Sequence, residues 1–266
     1  MVDKKNTLTS DWGEYCPSTK TAVFNYNVHL DNPSYTIDGD TMYYNTDTEM
    51  STLLGPSHII NGDNNVYTDF GYYFSKTEQA ILLDRSRLVN KGMEMIGDSI
   101  FYDDLEGWGE AFGNIIYTDT VNKNMFTGEY CYYNDSTGYS MATDSAVAID
   151  FSQLDTMWMH ADTFKVFTHN IRTDSVYRKL HAYFHVRSYR RDMQSVCDSL
   201  VFTSLDSTIT MYRDPIIWNG AQQILGEEII TFLNDSTIDS IQVNRQAFSV
   251  EQFDTVHYNQ VSSHLM

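Results

Sequence analysis

The chain has 266 residues, 42% hydrophobic and 14% aromatic, with a formal net charge of −19. That is apolar enough to build a core, no run approaches the ~20 residues of a membrane helix, and the acidity argues against nucleic acid as a partner. Three cysteines, Cys16, Cys131 and Cys197, are too few for a disulfide framework and lack zinc-ligand spacing.

The opening MVDKKNTLTS holds charge but no apolar h-region, so a secretory signal is expected to have been removed or never present. From Leu8 one phrase then recurs along the chain. It reads LTSDWGEY from Leu8, IDGDTMYY from Ile37, VYTDFGYY from Val66, MIGDSIFY from Met95, FTGEYCYY from Phe126, MHADTFKV from Met159, SVCDSLVF from Ser195 and ILGEEIIT from Ile224. Its acidic anchors are Asp11, Asp40, Asp69, Asp98, Glu129, Asp162, Asp198 and Glu227, spaced by 29, 29, 29, 31, 33, 36 and 29 residues. Before each stands a small residue: Ser10, Gly39, Thr68, Gly97, Gly128, Ala161, Cys197 or Gly226. Four residues after it comes Tyr15, Tyr44, Tyr73, Tyr102, Tyr133, Val166 or Phe202, with Thr231 the exception.

A second phrase follows: NVHL at Asn27, HII at His58, RLV at Arg87, NIIY at Asn114, AVAI at Ala146, PIIW at Pro215 and AFSV at Ala247. In the sixth repeat it is HVRSY at His185, displaced by an insertion around Arg172 to Leu180. The reading is an all-β chain of about sixteen antiparallel strands in eight two-strand repeats, forming one domain over 1–266. Apolar positions at −3, +2 and +4 from the anchor shift phase at the small-acidic pair, which predicts a kink or bulge there. The small residue answers either unusual dihedrals or a close backbone approach. One repeat cannot bury its own apolar face, so repeats must stack into an elongated array.

Several features then invite chemistry. The acidic anchors read either as a calcium ladder or as solvated corner carboxylates bonded to nearby groups; the Gly- and Asp-dense pattern of calcium β-rolls is absent. GWGEAFG at Gly107 has the wrong glycine spacing for a dinucleotide loop and reads as a hairpin. His181 and His185 lie in an alternating strand, ~13 Å apart, too far to share an ion. No metal and no cofactor are expected, and with no nucleophile elbow, HExxH helix or phosphate loop the chain reads as a non-enzyme. Arg172, Arg178, Arg187, Arg190 and Arg191 cluster in the lengthened sixth repeat, an anion-binding candidate or a charged surface hairpin.

Residues on the presumed inner face form an aromatic and aliphatic stripe, either core filling or a lining that adapts to a flexible apolar ligand. They are Ile37, Met42, Tyr44, Val66, Tyr73, Met95, Ile100, Tyr102, Phe126, Met159, Phe164, Leu200 and Phe202.

The repeated hydrophobic-x-small-Asp phrase, followed by Asn27-Val28 or Gly113-Asn114-Ile115, resembles the OstA-like, LptA-type lipopolysaccharide-transport family over nearly the whole chain. The resemblance implies a periplasmic β-jellyroll, or one at the periplasmic face of the outer membrane, whose groove shelters acyl chains of lipopolysaccharide or a related glycolipid. The stripe residues would be its lipid contacts. Implied partners are other Lpt-type envelope proteins, or further copies through the end strands, with no nucleic acid. Two other readings stand beside it: a cell-envelope assembly or adhesion scaffold with a filled core, and a polysaccharide-acting enzyme on a β-solenoid. The ending VSSHLM carries no stop signal for the stack, so a longer chain is an open expectation.

Overall fold

The computed structural model describes residues 6–152, 154–234 and 237–266, and every regular element among them is a β-strand. The chain divides into two compact units, Met1–Asn122 with Glu129–Ser136, and Lys123–Gly128 with Thr137–Met266.

Unit 1 opens with β1 (Thr7–Thr9), β2 (Trp12–Cys16), β3 (Thr21–Asp31), β4 (Tyr35–Asn45), β5 (Met50–Asn61) and β6 (Asn64–Phe74). It continues through β7 (Gln79–Leu83), β8 (Ser86–Asn90), β9 (Met93–Gly97), β10 (Ser99–Asp103) and β11 (Trp108–Asp119). β12 (Asn124–Asn134) is assigned to unit 2 up to Gly128 and to unit 1 from Glu129. Unit 2 then contains β13 (Tyr139–Asp150), β14 (Met157–His169), β15 (Tyr177–Tyr189), β16 (Met193–Thr203) and β17 (Thr208–Tyr212). It ends with β18 (Ile216–Asn219), β19 (Gln222–Leu225), β20 (Glu228–Asn234), β21 (Thr237–Gln252) and β22 (Tyr258–Leu265).

These are 22 antiparallel strands where the repeat predicts about sixteen. The difference arises at the corner. β1 and β2 both pair with β3, β7 and β8 with β6, β9 and β10 with β11, β17 and β18 with β16, and β19 and β20 with β21. Each such pair is one strand interrupted at its kink, and counting each once leaves seventeen: the expected sixteen and the terminal β22.

The kink is present in every repeat, but its left-handed dihedrals lie on the second strand and not at the small-acidic pair. They fall at Tyr26–Asn27, Gly55, Asp84–Arg85, Gly113–Asn114, Asp144–Ser145, Phe184–His185, Arg213–Asp214 and Arg245–Gln246. Cross-strand register slips at these places, as between Asn25 and Val28, Leu54 and Ser57, and Tyr183 and Val186. The small residue on the neighbouring strand serves the close approach instead. A Cβ on Gly39 would stand 2.9 Å from Ser57 Oγ, and one on Gly226 2.5 Å from Val243 Cγ1.

GWGEAFG is not the hairpin tip that its glycines suggest. The chain reverses just upstream, at 104–107, and Trp108–Phe112 runs inside β11. Gly107 (φ 66°) closes the turn and Gly113 (φ 72°) supplies the corner, so the two glycines serve two different bends. Asp103 fixes the turn by accepting from Glu106 N at 2.8 Å and from Gln79 Nε2 at 2.7 Å. The Gln79 bond foremost, then the turn amides, hold its carboxyl below the usual range.

Alternation along each half-strand sends one set of side chains inward. In unit 1 these form a continuous core in which Leu30, Ile37, Met42, Leu53, Ile59, Val66, Leu82, Ile100 and Ile115 are almost wholly buried. At roughly 1.5–3 kcal/mol for each fully buried aliphatic side chain, this packing is the main opponent of backbone ordering entropy.

Candidate functional site

Each unit has an inner face of kinked strands as its candidate site, and the two faces are lined differently. In unit 1 the residues four after each anchor lie in one cross-strand row. The row reads Tyr15, Ala22, Tyr44, Ser51, Tyr73, Ala80, Tyr102 and Gly109. A large ring alternates with a small residue on the next strand, so each ring has room to lie over its neighbour. Gly109 extends the pattern, since a Cβ there would come within 2.6 Å of the Tyr133 ring. Tyr44 and Tyr73 are buried.

The rings also close the rim of the interior. Tyr35 starts β4, at the opposite end of its kinked strand from the ladder, yet its ring meets Tyr73 edge-on at 4.9 Å. Asn32 and Asn6 add a polar bridge: Asn32 Nδ2 donates to Asn6 Oδ1 at 2.7 Å, and Asn6 Nδ2 donates to the Tyr44 hydroxyl at 3.4 Å. Burial pushes the Tyr73 hydroxyl well above its ordinary value, with neighbouring Tyr102 and Tyr35 adding to it. A groove in unit 1 is therefore filled by protein, except at its first strands. There an open concavity of about 800 Å³ is lined by Leu8, Gly13, Tyr15, Phe24 and neighbours.

In unit 2 the equivalent row runs Ser140, Val166, Leu180, Phe202, Ile209 and Thr231, with no tyrosine among them. Val166, Leu180, Phe202 and Ile209 are half-buried, lying at the rim above a buried floor of Ala142, Phe164, Ala182 and Leu200. The facing half carries Ala148 and half-buried Met159 in register with the buried pair Ser188 and Ser195, whose hydroxyls meet at 2.6 Å. Phe126 packs edge-on to Phe164 with centroids 6.0 Å apart. Alanines on the floor and half-buried aliphatic and aromatic side chains at the rim leave an apolar surface that is only partly covered.

The sequence-derived stripe thus splits by unit. Ile37, Met42, Tyr44, Val66, Tyr73 and Ile100 are core residues of unit 1, with Met95 and Tyr102 packed against them. Phe164 and Leu200 are buried in unit 2, while Phe126, Met159 and Phe202 remain half-buried.

The arginine group is spread out. Arg172 sits in the turn before β15 (φ 65°), Arg178 at the start of that strand, and Arg190 and Arg191 beyond its end. At ~3.3 Å per residue, Arg178 and Arg190 are ~40 Å of chain apart. Arg187 lies in register with His160 and Val196 on the other side of the kink, and Arg190 makes a two-point bond to Asp192 at 2.6 and 3.1 Å. What register does gather is Lys165, Lys179 and His181 on the outer face of β14 and β15, among Phe167, Tyr139 and Tyr183. Spacing along the chain hides this group, because a turn separates its members.

Six of the eight acidic anchors behave as corner latches, while Asp40 accepts from its neighbour Thr41 Oγ1 at 3.2 Å. Asp11 accepts from Asn27 Nδ2 at 2.7 Å, Asp98 from Asn114 Nδ2 at 2.7 Å and Arg85 at 3.0 Å, and Glu227 from Gln246 Nε2 at 2.7 Å. Asp162 bonds His185 Nδ1 at 2.8 Å, Asp198 bonds Arg213 at 3.2 Å, and Glu129 accepts the Asn114 amide at 3.0 Å. Left-handed dihedrals at non-glycine residues cost ~1–2 kcal/mol each. These bonds go to the residues that bear that cost. His181 instead bonds the Tyr183 hydroxyl, so the two histidines have separate roles.

Residues 1–40 match the family described as OstA-like protein. The OstA-like match takes in the first complete repeat, from LTSDWGEY through NVHL to the second anchor, Asp40, and supports the resemblance read from the whole array. Among solved structures, the chain is similar to LptH of Pseudomonas aeruginosa, the LptA-homologous periplasmic component of its lipopolysaccharide-transport device. Identity is 20%, coverage 37% of this chain and 75% of that one, and the TM-score 0.35. No curated protein matches the chain.

Proposed function

We propose that the chain is a periplasmic, non-catalytic bridge protein of the lipopolysaccharide-transport type, in which acyl chains lie against the inner face of unit 2 while unit 1 is a filled scaffold. The observation that carries this reading is the difference between the two units' inner rows: buried Tyr44 and Tyr73 over small residues in unit 1, half-buried Val166, Leu180 and Phe202 in unit 2. Covering such a rim with an acyl chain gains ~0.8 kcal/mol per buried methylene, and the alanine floor gives it room. The OstA-like match supports the transport class. Lipid contacts are then Phe126, Met159 and Phe202, with buried Phe164 and Leu200 packed beneath them, and the unit 1 members of the stripe contribute stability. The edge strands β2 and β22 are offered to Lpt-type proteins or further copies, because each has pairing groups turned outward.

The scaffold reading has its own observation, the Tyr35–Tyr73 closure. Photo-crosslinking in cells from Met159 and Phe202, with Tyr73 and Tyr102 as comparison positions, separates the two. Glycolipid adducts from the unit 2 positions alone are expected. Equal adducts from Tyr73 would contradict a sealed unit 1, and no adduct from any position would leave the scaffold in place of the carrier.

A further inference from the structure

Opposite the interior, the outer face of unit 2 carries a surface the transport reading does not use. On β14 it presents Lys165, Phe167 and His169, and on β15 Tyr177, Lys179, His181 and Tyr183, with Tyr139 of β13 beside Phe167. The rings are in contact. Tyr139 and Phe167 are 5.3 Å apart, Phe167 and His181 5.4 Å, His181 and Tyr183 5.9 Å, and His169 stacks on Tyr177 at 4.7 Å. Lys165 Nζ lies 5.6 Å from the centre of the Tyr183 ring.

Charge sets this face apart. On a chain of net charge −19, neither Lys165 nor Lys179 has a carboxylate partner among the described residues. The cross-strand rows through them continue on β16 as Thr203 and Val201, and the Tyr183 row as Ser199, so no acid interrupts the face there. His181 feels the result: burial first, then Lys179 and Lys165, hold its ring below its ordinary pKa.

We propose that this face binds an acidic oligosaccharide. Sugar rings present C–H groups, weakly positive, to the negative faces of Phe167 and Tyr183, and a carboxylate or phosphate on the sugar pairs with the two ammonium groups. A single-stranded nucleic acid would also stack, but it needs a basic track along its backbone, and on this face the cations are confined to two adjacent strands. The site is separate from the interior, so it stands or falls independently of lipid carriage.

The test is titration of the full chain with an oligogalacturonate, its neutral methyl ester and a thymidine oligonucleotide. The acidic sugar is expected to bind, more weakly as salt rises, and the ester about tenfold less tightly. Lys165→Gln with Lys179→Gln, and separately Tyr183→Ala, should each weaken binding about tenfold, whereas Lys→Arg at both positions should retain it. Unchanged affinity in the glutamine variant, equal binding of the ester, tighter binding of the oligonucleotide, or no binding of the acidic sugar at millimolar concentration would each overturn the proposal. Met159 and Phe202 crosslinks report the interior, so failure there is read separately.

Discussion

Asp98 holds three strands in register at one corner, taking Asn114 on one side and Arg85 on the other. The Asn114 bond, then Arg85, keep its carboxyl below the usual range. A depressed folded pKa means that its contribution is present above the unfolded value of ~3.9 and is lost as pH falls through the folded one. Asp98→Asn should therefore lower the thermal midpoint at neutral pH and converge on the parent chain in strong acid; parallel midpoints at every pH would remove the latch. Gly226 tests the close approach. Its Cβ would meet Val243 Cγ1, on a side chain stiff at χ1, and Arg245 O at 3.2 Å, so Gly226→Ala should cost ~1–3 kcal/mol in urea denaturation. Cysteine chemistry divides as cleanly. Hydrogen bonds from Ser18 and Thr19 lower exposed Cys16 to about 7, whereas burial pushes Cys131 and Cys197 up to about 12. Alkylation of the folded chain should modify Cys16 alone, about tenfold faster at pH 8 than at pH 6, with the other two labelled only after unfolding.

At the scale of the strand, the tyrosine ladder does two jobs, filling the interior of unit 1 and joining the ends of its kinked strands. Tyr73→Ala would remove a buried ring that meets Tyr35, and should cost ~3–5 kcal/mol, measured from the denaturation midpoint. It should also create crosslinkable space in the filled part of unit 1, away from the concavity at its first strands. Much of this element structure was legible beforehand. The 29-residue phrase located the corners, the two strands per repeat and the inward positions, because period-two alternation and one recurring phase shift leave little freedom. Which strand takes the left-handed turn was not legible: Phe184–His185 and Asp144–Ser145 carry no glycine to announce it. Nor was the outer platform, because Lys165 and His181 become neighbours only through cross-strand register. The arginines misled in the opposite sense, being close in number and strung along a strand that holds its ends apart.

For the whole molecule, the dominant long-range term is charge. With 36 acidic against 17 basic residues, self-repulsion opposes the compact state, and it is screened as the Debye length falls from ~30 Å at 0.01 M salt to ~8 Å at 0.15 M. The thermal midpoint should therefore rise over that range, in contrast to acidic-sugar binding, which should weaken. A flat profile would mean that the corner latches, lost to screening, offset the relief.

The alternation of large and small residues across unit 1 also bears on how such a chain can change length. Ring and small residue exchange places with every strand, so the pattern restores itself after two strands. Adding or deleting a whole repeat leaves each tyrosine facing an alanine, serine or glycine. Inserting a single strand would set either tyrosine against tyrosine, a collision, or small against small, a void. The ladder is a parity rule: the chain can grow or shrink by twos, and never by one.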